Sequence, residues 1–285
     1  MTEEVDRARI AGLAAAAAAQ LPTDFDPKTA AAFFDVDNTI MRGSSLFHVA
    51  IGMARRKFFT PREVAAFAMA QARFLVRGTE NLDDVALATE SALAFVKGRR
   101  VDDIIAFGQE IFDDSMVDKL VPGTLALAQE HVDAGRQVWL VTATPIELAQ
   151  VISRRLGLTG ALGTVSEIEE NCYTGKLVGA PLHGQAKAEA VRALAMREGL
   201  DLSQCWAYSD SANDIPMLTD VGNPVCVNPD PKLRAHAQIH DWPIEDFRAR
   251  AHLRKVTSPT ALAAASVLAA GLTIGFVTSR LHKTR

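Results

Sequence analysis

Two aspartates one residue apart follow a short apolar run in Phe33-Phe34-Asp35-Val36-Asp37-Asn38-Thr39. Residues i and i+2 of an extended chain point the same way, so at the carboxyl end of a strand Asp35 and Asp37 address one substrate atom. Two carboxylates in one cleft repel unless a cation or a shared proton settles them. A second apolar run, Val138-Trp139-Leu140-Val141, ends in Thr142, whose hydroxyl can donate to a phosphate oxygen. The backbone N–H groups that open the next helix suit the same anion. Lys187 stands at the opening of a helix in Gly184-Gln185-Ala186-Lys187, where a cation can neutralise both a nucleophile and a phosphate. In Trp206-Ala207-Tyr208-Ser209-Asp210-Ser211-Ala212-Asn213-Asp214 a strand runs into a loop with two carboxylates four residues apart. Such oxygen ligands suit Mg²⁺, which takes only one or two protein carboxylates and fills its octahedron with water and phosphate. Singly, each group has an ordinary reading as an acidic turn, a helix cap or a solvated lysine. Their joint occurrence at the ends of apolar segments, in one order, points to a single crevice built for phosphate chemistry.

The elements that must hold these groups are those of a doubly wound α/β fold. Ala30–Phe34 reads as a buried parallel strand, and Gln137–Val141, Cys205–Tyr208 and Val225–Val227 as further strands. Helices are expected over Thr124–Ala134, from Pro145 to about Leu156, and over Ala186–Arg197, with a hairpin over Gly163–Leu177 that turns near Glu170 and Asn171. Between Ser44 and Leu120 the pattern is helical throughout. Thr60-Pro61-Arg62-Glu63 is a capping box, Val64, Phe67, Ala68, Phe74 and Leu75 keep helical spacing, and Val101, Ile104, Ile105, Ile111 and Phe112 repeat it. The domain expectation is therefore a loose helical arm over residues 1–26, a catalytic core over 27–43 and 121–247, an inserted all-helical cap over 44–120, and a tail over 248–285.

Composition narrows the function classes. Apolar residues are 48% and charged residues 22% of the 285, an ordinary globular balance, and the net charge of -4 supplies no basic field for nucleic acid. Cys172, Cys205 and Cys226 are too few and too scattered for a disulfide frame or zinc site, and read as reduced thiols of a cytoplasmic protein. The acidic start at Glu3, Glu4 and Asp6 is unlike a secretory signal.

In order and spacing these four motifs resemble those of the haloacid dehalogenase superfamily, in the phosphoserine-phosphatase-like branch whose helical cap is inserted just after the first motif. The resemblance covers about residues 30–245. It implies a Rossmann-like core and a Mg²⁺-dependent phosphomonoester hydrolase acting through an aspartyl phosphate. Asp35 then corresponds to the nucleophile and Asp37 to the general acid/base. Asp35, Asp37 and Asp210 correspond to the metal-holding groups, and Thr142, Ala143, Lys187, Asn213 and Ser44 to the substrate-binding groups, with Asp214 in support. The expected substrate is a small phosphorylated metabolite or a phospholipid-related ester. Phosphoserine is the alternative: the branch carries an acid in the loop after the first motif and a glycine pair after the second, whereas this chain has Met41-Arg42-Gly43-Ser44-Ser45 and Ala143-Thr144-Pro145. Arg73 or Arg77 remains as a carboxylate partner for it. A non-catalytic, receiver-like phosphate module is disfavoured by the paired aspartates and the long insertion.

The tail adds a partner expectation. No charged residue occurs between Lys255 and Arg280. At about 1.5 Å per residue, a helix of about 20 residues crosses the ~30 Å hydrocarbon layer. The expectation is attachment of a cytoplasmic catalytic domain to the membrane through 257–279, against a helix packed on the protein's own core. Gly271 and Gly275 form a G-x-x-x-G that can pair two such helices into a homodimer.

Overall fold

The four residues Ala31–Phe34 (β1) are fully buried, as a strand flanked by others and covered on both faces must be. The computed structural model that shows this describes residues 2–19, 29–55 and 96–248. Around β1 stand Gln137–Pro145 (β2), Gly160–Thr164 (β3), Trp206–Ser209 (β6), Asn223–Val227 (β7) and Ile244–Glu245 (β8). Their order is β3-β2-β1-β6-β7-β8, parallel at every pairing. Ser166–Glu169 (β4) and Cys172–Leu177 (β5) form a separate antiparallel pair. The class is thus the α/β doubly wound sheet expected from the alternation of elements. From β1 the chain passes to β2 and β3 on one side and returns with β6 on the other, which makes the carboxyl ends of β1 and β6 the topological switch point.

Among the described residues the α-helices are Thr2–Ala18 (α1), Ser45–Arg55 (α2), Val101–Ile111 (α3), Pro122–Asp133 (α4), Ile146–Arg155 (α5), Gln185–Glu198 (α6), Ile215–Thr219 (α7) and Pro231–Ile239 (α8). Alternation along the strands divides the core between the two faces. Phe33, Trp139 and Ala207 pack with the alanines of α1 and α6, along with Leu162, Leu182 and Leu194. On the opposite face Phe34 stacks on Tyr208 at 4.1 Å and meets His131 of α4 edge-on at 6.1 Å.

Three expectations need correction. The arm is not loose: α1 lies against α6, and Gly12 approaches so closely that an added Cβ would sit 2.6 Å from Glu189 Cβ. Its last carbonyls are satisfied by neighbours, Ala18 accepting from Gln150 at 3.0 Å and Ala16 from the Arg197 guanidinium. Second, Gly163 and Thr164 do not belong to the hairpin. They end β3, which joins the main sheet beside β2. Third, β2 does not stop at Val141 but runs on to Pro145, which caps α5 where a helix was expected to open. The calls on Thr60–Leu75, on Arg73 and Arg77, and on 257–279 lie outside the described residues. Among the described residues no helix is long and apolar enough to cross a membrane. Chain contacts divide the protein into Met1–Glu245 and Asp246–Arg285, and everything below belongs to the first unit.

Candidate active site

Each chemical group is delivered by a strand end or helix start. Phe34 is level with Leu140 of β2 and Tyr208 of β6, so Asp35 emerges at the switch point between those strands. Its N–H continues the ladder, donating to the Tyr208 carbonyl at 2.9 Å. Val36 is buried, and the chain then turns at Asn38, whose φ of 60° is one that asparagine tolerates better than most residues. The Asn38 side chain accepts from Gly43 N–H at 2.9 Å and closes that loop.

Lys187, in the first turn of α6, reaches across the crevice. Its Nζ donates to Asp35 Oδ1 at 2.5 Å and to Asp214 Oδ2 at 2.8 Å, with all three side chains at most 7% exposed. Asp214 also accepts from the Ser209 hydroxyl at 2.7 Å. Burial works against the lysine's charge, but Asp214 and Asp35 outweigh it and hold its pKa above the ordinary value. Burial drives the Asp35 carboxyl upward; Lys187 pulls it back, while Asp214 and Asp37 push it up again. Asp210 is raised to about 6 by burial and then by Asp214, and accepts from the Thr39 hydroxyl at 3.4 Å. Four carboxylates thus face one ammonium group, and Asp35 and Asp210 are raised first by burial and further by Asp214.

That imbalance, with donors that are all oxygens, fits a hard divalent cation such as Mg²⁺. Among the described residues no group of three or more His, Cys, Asp or Glu forms an all-side-chain cage. Mg²⁺ needs none, because water and substrate phosphate complete its shell. Asp35, Asp210 and the Asp37 carbonyl are the groups that could hold it.

Thr142 is buried near the end of β2, its hydroxyl donating to Thr144 Oγ1 at 3.1 Å and accepting from Thr144 N–H at 3.2 Å. Ala143 between them is exposed, and its carbonyl accepts from Thr164 at 2.6 Å. Ser44 is exposed and caps α2, accepting from Phe47 N–H at 3.4 Å. Asn213 is exposed at the rim, with its N–H on Ser211 Oγ. The structure therefore brings Asp35, Lys187 and Asp214 into one buried cluster with the half-buried Asp210 beside it, while Ser44 and Asn213 are exposed. Sequence reasoning missed Ser209, Ser45 and Thr144. Ser209 carried a signal, being a hydroxyl residue that ends an apolar run directly before Asp210, as Thr142 ends the run Val138–Val141. Ser45 and Thr144 bond to each other at 2.5 Å across 99 residues, a pairing no local pattern reveals.

A buried aspartate bonded to a buried lysine at the switch point of a doubly wound sheet, with further carboxylates beside it, is an arrangement that phosphate chemistry can use. Residues 32–219 match the haloacid dehalogenase-like hydrolase family. The chain belongs to this family and is a phosphatase of its phosphoserine-phosphatase-like branch. A putative hydrolase of Mycobacterium leprae (strain TN) is 54% identical over 244 residues, 86% of this chain and 81% of its own. A Mycobacterium tuberculosis (strain H37Rv) protein named phosphoserine phosphatase SerB1 is 55% identical over 235 residues, 82% of this chain and 76% of its own. A crystal structure of a Bordetella pertussis Tohama I protein of unknown function superposes with a TM-score of 0.68 at 28% identity, covering 77% of this chain and 99% of that one.

Proposed function

We propose that this phosphatase hydrolyses small phosphate monoesters through a phosphorylated Asp35. The observation that carries the reading is the buried Asp214–Lys187–Asp35 chain opening on Asp210 at the switch point. Lys187 holds one Asp35 oxygen and so fixes the carboxylate for in-line attack on phosphorus. The Asp35–phosphorus bond forms as the ester oxygen leaves, taking a proton from Asp37. Asp37 then accepts a proton from the water that attacks the phospho-Asp35, releasing phosphate and restoring both aspartates. Thr142 and the amide N–H groups around Ala143 bind the phosphate oxygens. Mg²⁺, when bound, supplies charge that draws the phosphate to the nucleophile. Residues 44–120 act as a cap that selects among substrates, since the core groups grip only the phosphate.

Phosphoserine is the second reading, favoured by the M. tuberculosis relative's name. Against it, the loop where that branch carries an acid reads Met41-Arg42-Gly43-Ser44-Ser45 here, and the Ser44 hydroxyl serves as a cap for α2. The test is turnover of a panel of phosphate monoesters, phosphoserine included, by the parent and by Asp35→Asn in the presence of Mg²⁺. The parent should turn over repeatedly and the variant should lose several orders of magnitude; activity within about tenfold of the parent would sink the assignment of Asp35. A single self-phosphorylation without release would instead mark a receiver-like module.

A further inference from the structure

Ser45 is the first residue of α2 and is fully buried, although serine is among the residues usually found exposed. Both of its polar groups are committed to the site. Its backbone N–H donates to Asp37 Oδ1 at 2.8 Å. Its hydroxyl shares a 2.5 Å hydrogen bond with Thr144, which in turn is bonded through both hydroxyl and N–H to Thr142. One residue is thus bonded directly to Asp37 and, through Thr144, to Thr142. It also begins the helix that leads out of the core.

We infer that Ser45 is a positioning residue that couples the aim of Asp37 to the phosphate grip of Thr142, with Thr144 as the link; the inference rests on the roles proposed above for Asp37 and Thr142. The N–H of Ser45 pins one carboxylate oxygen and leaves the other to face the leaving group. The hydroxyl arm works by turning over a row of protons. In the structure Thr142 donates to Thr144. A phosphate oxygen that accepts the Thr142 proton ends that bond. The row then runs from Ser45 to Thr144 to Thr142 to phosphate, each hydroxyl donating toward the anion. No covalent bond changes, and each donor in a polarised row strengthens the next. Thr142 then accepts from Thr144 and donates to phosphate, so no buried hydroxyl is left without a partner. Removing the hydroxyl at either 45 or 144 interrupts the same row, so the two losses should not add.

The experiment compares kcat and KM for p-nitrophenyl phosphate, whose leaving group needs little protonation, and for an alkyl phosphate, whose leaving group needs it fully. Ser45→Ala removes the hydroxyl and keeps the N–H; Thr144→Val removes the link. Each should lower kcat/KM about tenfold for both esters, mainly through KM, and the double variant should lose no more than about twofold beyond either. Ser45→Thr should restore most of the loss. Ser45→Pro also removes the N–H, at the first helical position, where proline is well accepted. It should lower kcat for the alkyl phosphate about tenfold more than for p-nitrophenyl phosphate. Multiplying losses in the double variant, parental kinetics in Ser45→Ala, or equal loss of both esters in Ser45→Pro overturns the coupling. If Ser45→Pro does not fold, the Ser45/Thr144 cycle decides alone. Asp35→Asn, run alongside, separates the two levels: if it stays active the reading of the site fails, and if it is inactive while the Ser45 variants keep parental kinetics, only the coupling fails.

Discussion

Replacing Lys187 by methionine keeps the length of the side chain and deletes its charge, leaving Asp35 and Asp214 buried without their shared cation. The two contacts are 2.5 and 2.8 Å long, and the carboxylate side chains are 7% and 2% exposed. At an effective dielectric of ~20, each contact represents roughly 6 kcal/mol of attraction before the desolvation of the charges is subtracted. Removing one partner of a buried pair leaves a net loss of about 3–5 kcal/mol. Urea unfolding in EDTA at about pH 9 should therefore show Lys187→Met destabilised by about that amount. The penalty has a signature. Burial already holds the Asp35 carboxyl up at about 8 with Lys187 beside it, and losing the lysine raises it further. As pH falls from about 9 toward about 5, Asp35 takes up a proton, and a neutral acid needs no cation, so the gap between variant and parent should narrow. Adding Asp214→Asn removes one orphan and should return about 1–2 kcal/mol to the Lys187→Met background. A variant within about 1 kcal/mol of the parent at both pH values would refute the account, because the three groups would then not depend on one another for burial.

Asp210→Asn should fold normally and raise the Mg²⁺ concentration for half-maximal turnover by at least about tenfold, measured by titrating metal into chelator-treated protein. The ring of His131, held by Tyr208 Oη at 2.7 Å and Arg136 Nε at 2.7 Å, is kept neutral by burial and then by Arg136, its pKa falling from 6.5 to about 4. The unfolded chain binds this proton first, so the contribution is whole above about pH 6.5 and is lost between there and about pH 4; at about 1.4 kcal/mol per pH unit it amounts to about 3 kcal/mol. Urea midpoints across that window should fall, and the fall should be shallower in His131→Leu. Gly12→Val should destabilise the protein by about 1–3 kcal/mol by forcing α1 off α6, and limited proteolysis should cleave α1 sooner than in the parent.

The parts of the site that lie on one stretch of chain were legible in the sequence. Asp35 and Asp37 follow four buried residues, and Asp210 and Asp214 share one loop, so pattern and spacing place them. Lys187 was legible only through its company, since nothing about a lysine in a helix's first turn says that it will be 4% exposed. What could not be read depends on contact between distant segments. β3 is Gly160-Ala161-Leu162-Gly163-Thr164, too small-sided to look like a strand, and Gly160 is needed because an added Cβ would sit 2.3 Å from the Trp139 ring. The packing of α1 was hidden because its buried face is mostly alanine, which differs little in polarity from the face left in water. The membrane and cap-arginine expectations lie outside the described residues and stay expectations.

The pairing of α1 with α6 bears on how the chain is made. α1 leaves the ribosome before the helix it needs, which is synthesised about 170 residues later. Lys187 and Asp35 wait over a similar gap, 152 residues. Contacts this remote are slow to close and leave surfaces bare meanwhile. A helix whose inner face is alanine and glycine can form early, since alanine favours helix on its own, while offering little for another chain to stick to. The small residues that let α1 approach α6 so closely in the finished protein are thus also the ones that make its long wait during synthesis safe.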